Sequence, residues 1–355
     1  MKKVLAIVSL FLASLLSAQE SPTAGLKAGL TTNHYKKQGL DYRSAPNTSL
    51  LDTIGSNDVY LIFMIGQSNS VGWASASRLA NTKYNYRGIS RGYPEVRTSQ
   101  DPYTRTPPNV KIYYKPVNYP SPLSEYIADN GEWQAYVAGV NSATAPDNFG
   151  AELSFAQNIS DIRPNAKVYI VKAGVGNTVL APNSLMKPGN WSNTLDTIAT
   201  KYYLDRAIRD LKKELPEARI IFPGVFWWQG EGDSEKLSGE QYMRYFMDNL
   251  KSDIDKHIHS KYPEFGEYPW VVTQLNYRLT SGEDSINLVF RNLSEKYADI
   301  KLASAIGYPR RLELTAYESA PVSITVADDK HSSYIAQLAV GEQYFNIIRR
   351  QFSPD

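Results

Sequence analysis

The 355-residue chain carries 38 basic and 36 acidic side chains. With Lys2 and Lys3 set aside the two signs balance, so nothing in its charge favours nucleic acid or an anionic membrane. It contains no cysteine, which excludes disulfides and cysteine-linked lipid and leaves core packing to hold the fold.

In chain order, residues 1–18 join a basic start to an apolar stretch that ends in Ser17 and Ala18, the pattern of a cleavable secretory signal peptide rather than a membrane span. A secreted or periplasmic bacterial protein is therefore expected, with no membrane span in the mature chain. Residues 19–57 are polar and aperiodic and read as an N-terminal arm. Val59 to Ile65 is a continuous apolar run of strand length, expected to be a buried parallel strand that delivers Gly66-Gln67-Ser68-Asn69 at its carboxyl end. A serine there is a candidate nucleophile, with Gln67 and Asn69 as its immediate support. Residues 75–148, rich in Tyr, Pro, Asn, Ser and Arg, read as a long insertion that builds a cleft rim and holds only short strand candidates such as 110–114. The 25 Tyr and six Trp of the chain supply flat rings suited to sugars. Trp73, Tyr103, Tyr113, Trp133 and Trp191 are candidates for stacking on a glycan, the plainer role of each being to anchor a loop or fill the core.

From residue 150 the pattern turns regular. Helix 152–162 ends before Pro164, a strand spans 167–172, helical spacing runs over 195–211, and a strand containing a proline spans 219–227. A helix over 241–258, a strand over 270–275, a helix over 285–297, a strand over 300–305 and a closing helix over 333–351 follow. Such alternation predicts a three-layer α/β/α sandwich with a central, mainly parallel sheet occupying 58–355.

Two strand ends besides the first, and the turn just before the final helix, carry candidate chemistry. Gly174-Val175-Gly176-Asn177 lacks the spacing of a dinucleotide fingerprint, so no NAD is expected, but the Gly176 N–H suits an oxyanion hole. In Trp228-Gln229-Gly230-Glu231-Gly232-Asp233, the Gln229 amide is a third donor beside the N–H groups of Ser68 and Gly176. Glu231 and Asp233 are either helix caps or direct participants. Asp328 and His331 lie three apart, so one short turn brings a carboxylate to the imidazole, which is then left to take the Ser68 proton. His257 and His259 sit in a Lys-rich helix end and His34 in the arm. The histidines and acids lack metal-ligand spacing, so neither metal nor cofactor is expected.

GQSN near the start, Gly150-Ala151-Glu152 before a helix, the lysine-to-glycine turn after residue 172, WQGExD and a terminal DxxH occur in the order seen in the SGNH-hydrolase superfamily. More narrowly, the chain resembles the sialate O-acetylesterase-like and family 6 carbohydrate esterases, which include acetyl xylan esterases, over roughly residues 58–350. The resemblance implies a flavodoxin-like fold and an esterase acting on an O-acetylated carbohydrate. Ser68 is then nucleophile, His331 base and Asp328 its partner, with Ser68 N–H, Gly176 N–H and Gln229 as oxyanion donors; Glu152 belongs to the supporting set. The chain departs from the family where Asn177 replaces a second glycine and where Asp329 places a second acid near the base. A superfamily lipase or phospholipase, and a noncatalytic glycan-binding protein on the same scaffold, are the competing readings; the polar insertion disfavours the former and the full set of catalytic candidates the latter.

Overall fold

The computed structural model describes residues 58–81, 103–114, 123–128, 131–143, 146–163, 165–182, 190–234, 236–275, 281–306 and 331–351. Of the two units into which the chain divides, only the one formed by residues 46–85 and 96–355 contains described residues, and all that follows concerns it.

The strands are β1 (Val59–Gly66), β2 (Ala74–Ser75), β3 (Val110–Tyr113), β4 (Gln134–Ala135), β5 (Asn148–Phe149), β6 (Lys167–Gly174), β7 (Ile220–Ile221), β8 (Val225–Trp228), β9 (Trp270–Gln274) and β10 (Ile300–Ser304). The main sheet runs β10-β9-β8-β1-β6-β3-β4, with β7 also on β1, and every pairing in it is parallel except β3 with β4 at the edge. β1 lies at the centre and is buried along its whole length, as a strand covered on both faces must be. The small pair β2 and β5 stands apart, antiparallel.

The chain passes from β1 to β3 and β4 at one edge, returns to β6 beside β1, then crosses β1 to β8 and continues outward to β9 and β10. One face carries α1 (Glu152–Ile162) packed against the closing helix (Tyr334–Gln351); the other carries residues 195–214, the helical stretch from Gly239 to Lys261, and Ser281–Lys296. The contact between α1 and the closing helix is unusually close. A Cβ on Gly341 would lie 2.0 Å from the Ala151 carbonyl oxygen, and Ser154 Oγ donates to the Leu338 carbonyl at 2.7 Å, so glycine at 341 is a packing requirement.

Four expectations are refined. The strand expected over 219–227 is two strands, β7 and β8, interrupted at Phe222-Pro223-Gly224, where proline lacks the N–H a central strand must donate. Segment 110–113, read as part of a rim, is a strand of the main sheet whose Val110, Ile112 and Tyr113 are buried on β6. The helix expected from 241 begins at Gly239, behind a capping box in which Ser238 and Gln241 exchange side-chain bonds to each other's backbone N–H. The helical spacing of 195–211 continues to Glu214 through a π-helical stretch, Ile198–Leu204.

Candidate active site

The reversal of strand order beside β1 places a crevice at the carboxyl ends of β1, β6 and β8, where open α/β sheets bind ligands. There β1 ends in a tight elbow. Gly66 has φ +136°, and a Cβ on it would lie 2.2 Å from the Trp228 carbonyl oxygen, so only glycine lets the chain turn so close to β8. The turn is fixed by two backbone bonds, Gln67 N–H to Trp228 O at 3.0 Å and Val175 N–H to Gly66 O at 2.8 Å. Ser68 then opens the one-turn helix Ser68–Val71, its C-terminal Gly72 N–H donating to Ser68 O at 2.9 Å and Ser70 Oγ to Ile65 O at 3.0 Å. Gly176, past the end of β6, adjoins the serine: a Cβ placed on it would stand 4.0 Å from Ser68 Cβ.

Asn69 is the junction of the site. Its Nδ2 donates to Glu231 Oε1 at 2.5 Å, its Oδ1 accepts the Ser332 N–H at 2.9 Å, and its carbonyl accepts Gln337 Nε2 at 3.1 Å. One residue beside Ser68 therefore ties down the turn after β8 and the chain that carries His331. The imidazole of His331 lies against Trp73, with ring centroids 4.4 Å apart and planes 13° from parallel. Asp328 and Asp329 lie outside the described residues.

Gln229 is fully buried. Its Oε1 accepts the Tyr242 hydroxyl at 2.9 Å, and its Nε2 donates to Asp233 Oδ2 while also facing Thr178 O at 3.4 Å and Gln67 Oε1 at 3.5 Å. Asp233 caps no helix with its carboxylate; that group accepts the Leu180 N–H at 2.8 Å and, more weakly, the Ala181 N–H at 3.4 Å. Burial raises its pKa, against the lowering effect of these bonds. Glu231, half-buried, likewise binds Asn69 rather than a helix end.

Beneath the elbow lies an ion pair the sequence reading did not single out. Lys172, in β6, and Glu152, opening α1, are both fully inaccessible and 2.9 Å apart. Lys172 Nζ also donates to the Ser142 carbonyl at 2.5 Å, while Glu152 Oε1 accepts the Gly150 N–H at 2.9 Å and the Tyr136 hydroxyl at 3.3 Å. Desolvation pulls the lysine pKa below its ordinary value in spite of the carboxylate. A lysine inside the otherwise apolar run Lys167–Gly174 was the available signal, because a charge in a central strand must find a partner. The pair thus supports the insertion, Glu152 holding residues 136 and 150 and Lys172 holding residue 142.

The aromatic candidates separate by burial. Trp191 is enclosed, its Nε1 donating to Thr178 Oγ1 at 2.9 Å and its ring edge-on to Trp227, so it packs the core instead of offering a face to sugar. Tyr113 and Tyr103 are also buried, the latter bonded to Glu342. Trp133 is half-buried and anchors its loop, donating to the Ala207 carbonyl at 3.0 Å and meeting Tyr113 and Tyr169 edge-on. Trp73 is the candidate that lies beside the catalytic histidine candidate, with one face already covered.

Among solved structures, the chain is similar to NanS (15% identity, TM-score 0.53, covering 84% of this chain and 99% of that one). It also matches a carbohydrate acetylesterase from Xanthomonas citri (16% identity, TM-score 0.41, 83% and 56%). The first likeness speaks for the fold, and the second is too distant to carry weight. No curated protein matches by sequence. The family model described as carbohydrate esterase, sialic acid-specific acetylesterase, matches residues 56–347, most of the chain and every strand of the sheet, and the chain therefore belongs to that family of carbohydrate esterases.

Proposed function

We propose that the protein is a secreted serine esterase that removes acetyl groups from an O-acetylated glycan. The observation that carries this reading is the 2.9 Å bond from Ser332 N–H to Asn69, which brings the His331 segment beside Ser68 across more than 260 residues of sequence. Ser68 attacks the acetyl carbonyl, His331 accepts its proton and returns it to the departing sugar hydroxyl, and Asp328 orients the imidazole. Water activated by the same imidazole then releases acetate. The Ser68 and Gly176 N–H groups face the developing oxyanion. An amide nitrogen carries two hydrogens, and Asp233 takes one from Gln229. The other has only long contacts, so it is the one assigned to the oxyanion.

The family description makes O-acetylated sialic acid the first substrate to test; acetylated xylan, implied by the resemblance in the sequence, is the second. Acetate release measured across a panel of acetylated glycans, for the unmodified protein and Ser68→Ala, tests the proposal. Release from at least one glycan that disappears in the variant is expected. No release from any, or unchanged release from Ser68→Ala, would refute it.

A further inference from the structure

The fold stacks the ring of Trp73 on that of His331. The two planes are within 13° of parallel at a centroid separation of 4.4 Å, which is stacking contact over a shared face. The backbone of Trp73 is held on both sides. Gly72, just before it, is bonded through its N–H to the Ser68 carbonyl, and Ala74, just after it, is paired with Phe149 in the β2–β5 ladder. The imidazole is held from its own side, since the next residue, Ser332, is fully buried with its N–H on Asn69. A histidine side chain anchored at its backbone still turns about its own bonds, and an aromatic ring stacked on one face restricts that freedom.

We propose that Trp73 is a positioning residue for the general base: it sets the plane of the His331 imidazole and favours the imidazolium that forms in each half of the reaction. This inference rests on the reading of Ser68 and His331 given above. A neutral ring is stacked in the ground state and a cationic ring in the transition state, and the face of an indole attracts a cation more strongly than a neutral ring. The contact therefore strengthens as the reaction proceeds, which is the condition for raising kcat without changing substrate binding. Removing it lowers kcat by about 3- to 30-fold, the span of the interaction at a partly exposed site.

Two esters separate this role from that of a sugar platform. Nitrophenyl acetate has no sugar, so a positioning residue affects its hydrolysis as much as that of an acetylated glycan, whereas a platform does not affect it at all. In Trp73→Leu we expect kcat to fall by a similar factor on both esters with KM unchanged, and Trp73→Phe to recover most of the loss because a ring face is restored. Full turnover of nitrophenyl acetate by Trp73→Leu, or a rise in KM confined to the glycan, would overturn the inference. Because the leucine variant is open to instability, the unmodified protein provides an independent readout. With histidine labelled and only four histidines in the chain, the carbon-bound ring protons of His331, assigned by His331→Asn, are expected upfield under the indole ring current. A resonance at the ordinary histidine position would also overturn it. Ser68→Ala distinguishes the two levels of the account. If that variant stays active, the reading of the site fails; if it is dead while Trp73→Leu is unaltered, only the role of Trp73 fails.

Discussion

Replacing Lys172 with methionine keeps most of the side-chain volume and removes the charge from the buried pair beneath the Ser68 elbow. Glu152 is then left fully enclosed, with the Gly150 N–H and the Tyr136 hydroxyl converging on Oε1. Its Oε2 has no hydrogen-bond donor among the described residues, and the Ser142 carbonyl also loses its donor. Stranding one member of a buried pair destabilises a protein by about 3–5 kcal/mol. For a cooperative unit of about 300 residues the entropy of unfolding is roughly 0.6 kcal/mol per degree, so the midpoint should fall by about 5–8 °C. Thermal and urea unfolding of Lys172→Met, Glu152→Gln and the double variant measure the effect. In the double variant no carboxylate remains to be stranded, and the amide oxygen that replaces it still accepts from Gly150 and Tyr136, so more than half of the loss should be regained. A single variant that melts within about a degree of the parent, or a double variant whose loss is the plain sum of the two singles, would refute the reasoning.

Two further outcomes follow from the same coordinates. Asn69→Ala removes the side-chain bonds that tie Ser332 N–H and Glu231 to the residue beside Ser68, so kcat on nitrophenyl acetate should drop by about 10- to 100-fold with little change in KM; steady-state kinetics checks this, and unchanged kcat contradicts it. Asp196 has its carboxyl pKa raised, chiefly by burial, and its Oδ1 has no hydrogen-bond partner among the described residues. A carboxyl whose folded pKa lies above its unfolded value stabilises fully below the unfolded value, and that contribution is lost as pH rises through the folded one. Asp196→Asn should therefore be more stable than the parent at pH 7, with the advantage shrinking toward pH 4, as urea unfolding at the two pH values will report.

What the sequence revealed and what it hid have physical causes. Residues 59–65 are readable as a central strand because an unbroken apolar run that ends in turn residues fits a sheet covered on both faces, and 167–172 because its apolar stretch 168–171 does so between two lysines. The serine and glutamine elbows are readable because such strands must end in polar turns at one edge. Segment 110–113 is not readable as part of the main sheet, since four residues carry too little periodicity to separate a core strand from a rim. The Pro223 break is visible in the letters, yet only the split into β7 and β8 gives it meaning. Gln229 and Asp233 sit four apart, and their shared hydrogen bond is local; the Leu180 N–H that completes it comes from another strand end and is tertiary information. The stack of Trp73 on His331 joins residues far apart in the chain, and no pattern in either segment announces it. Lys172, the buried one of the two lysines in β6, is the legible sign of the Glu152–Lys172 pair.

The central claim is that Ser68 is an activated nucleophile served by His331. Incubation with a serine-reactive fluorophosphonate, followed by peptide mapping of the adduct, tests it directly. The account predicts one adduct per chain on Ser68, absent in Ser68→Ala and formed far more slowly in His331→Ala. Labelling at another residue, or equally fast labelling without the imidazole, would contradict it.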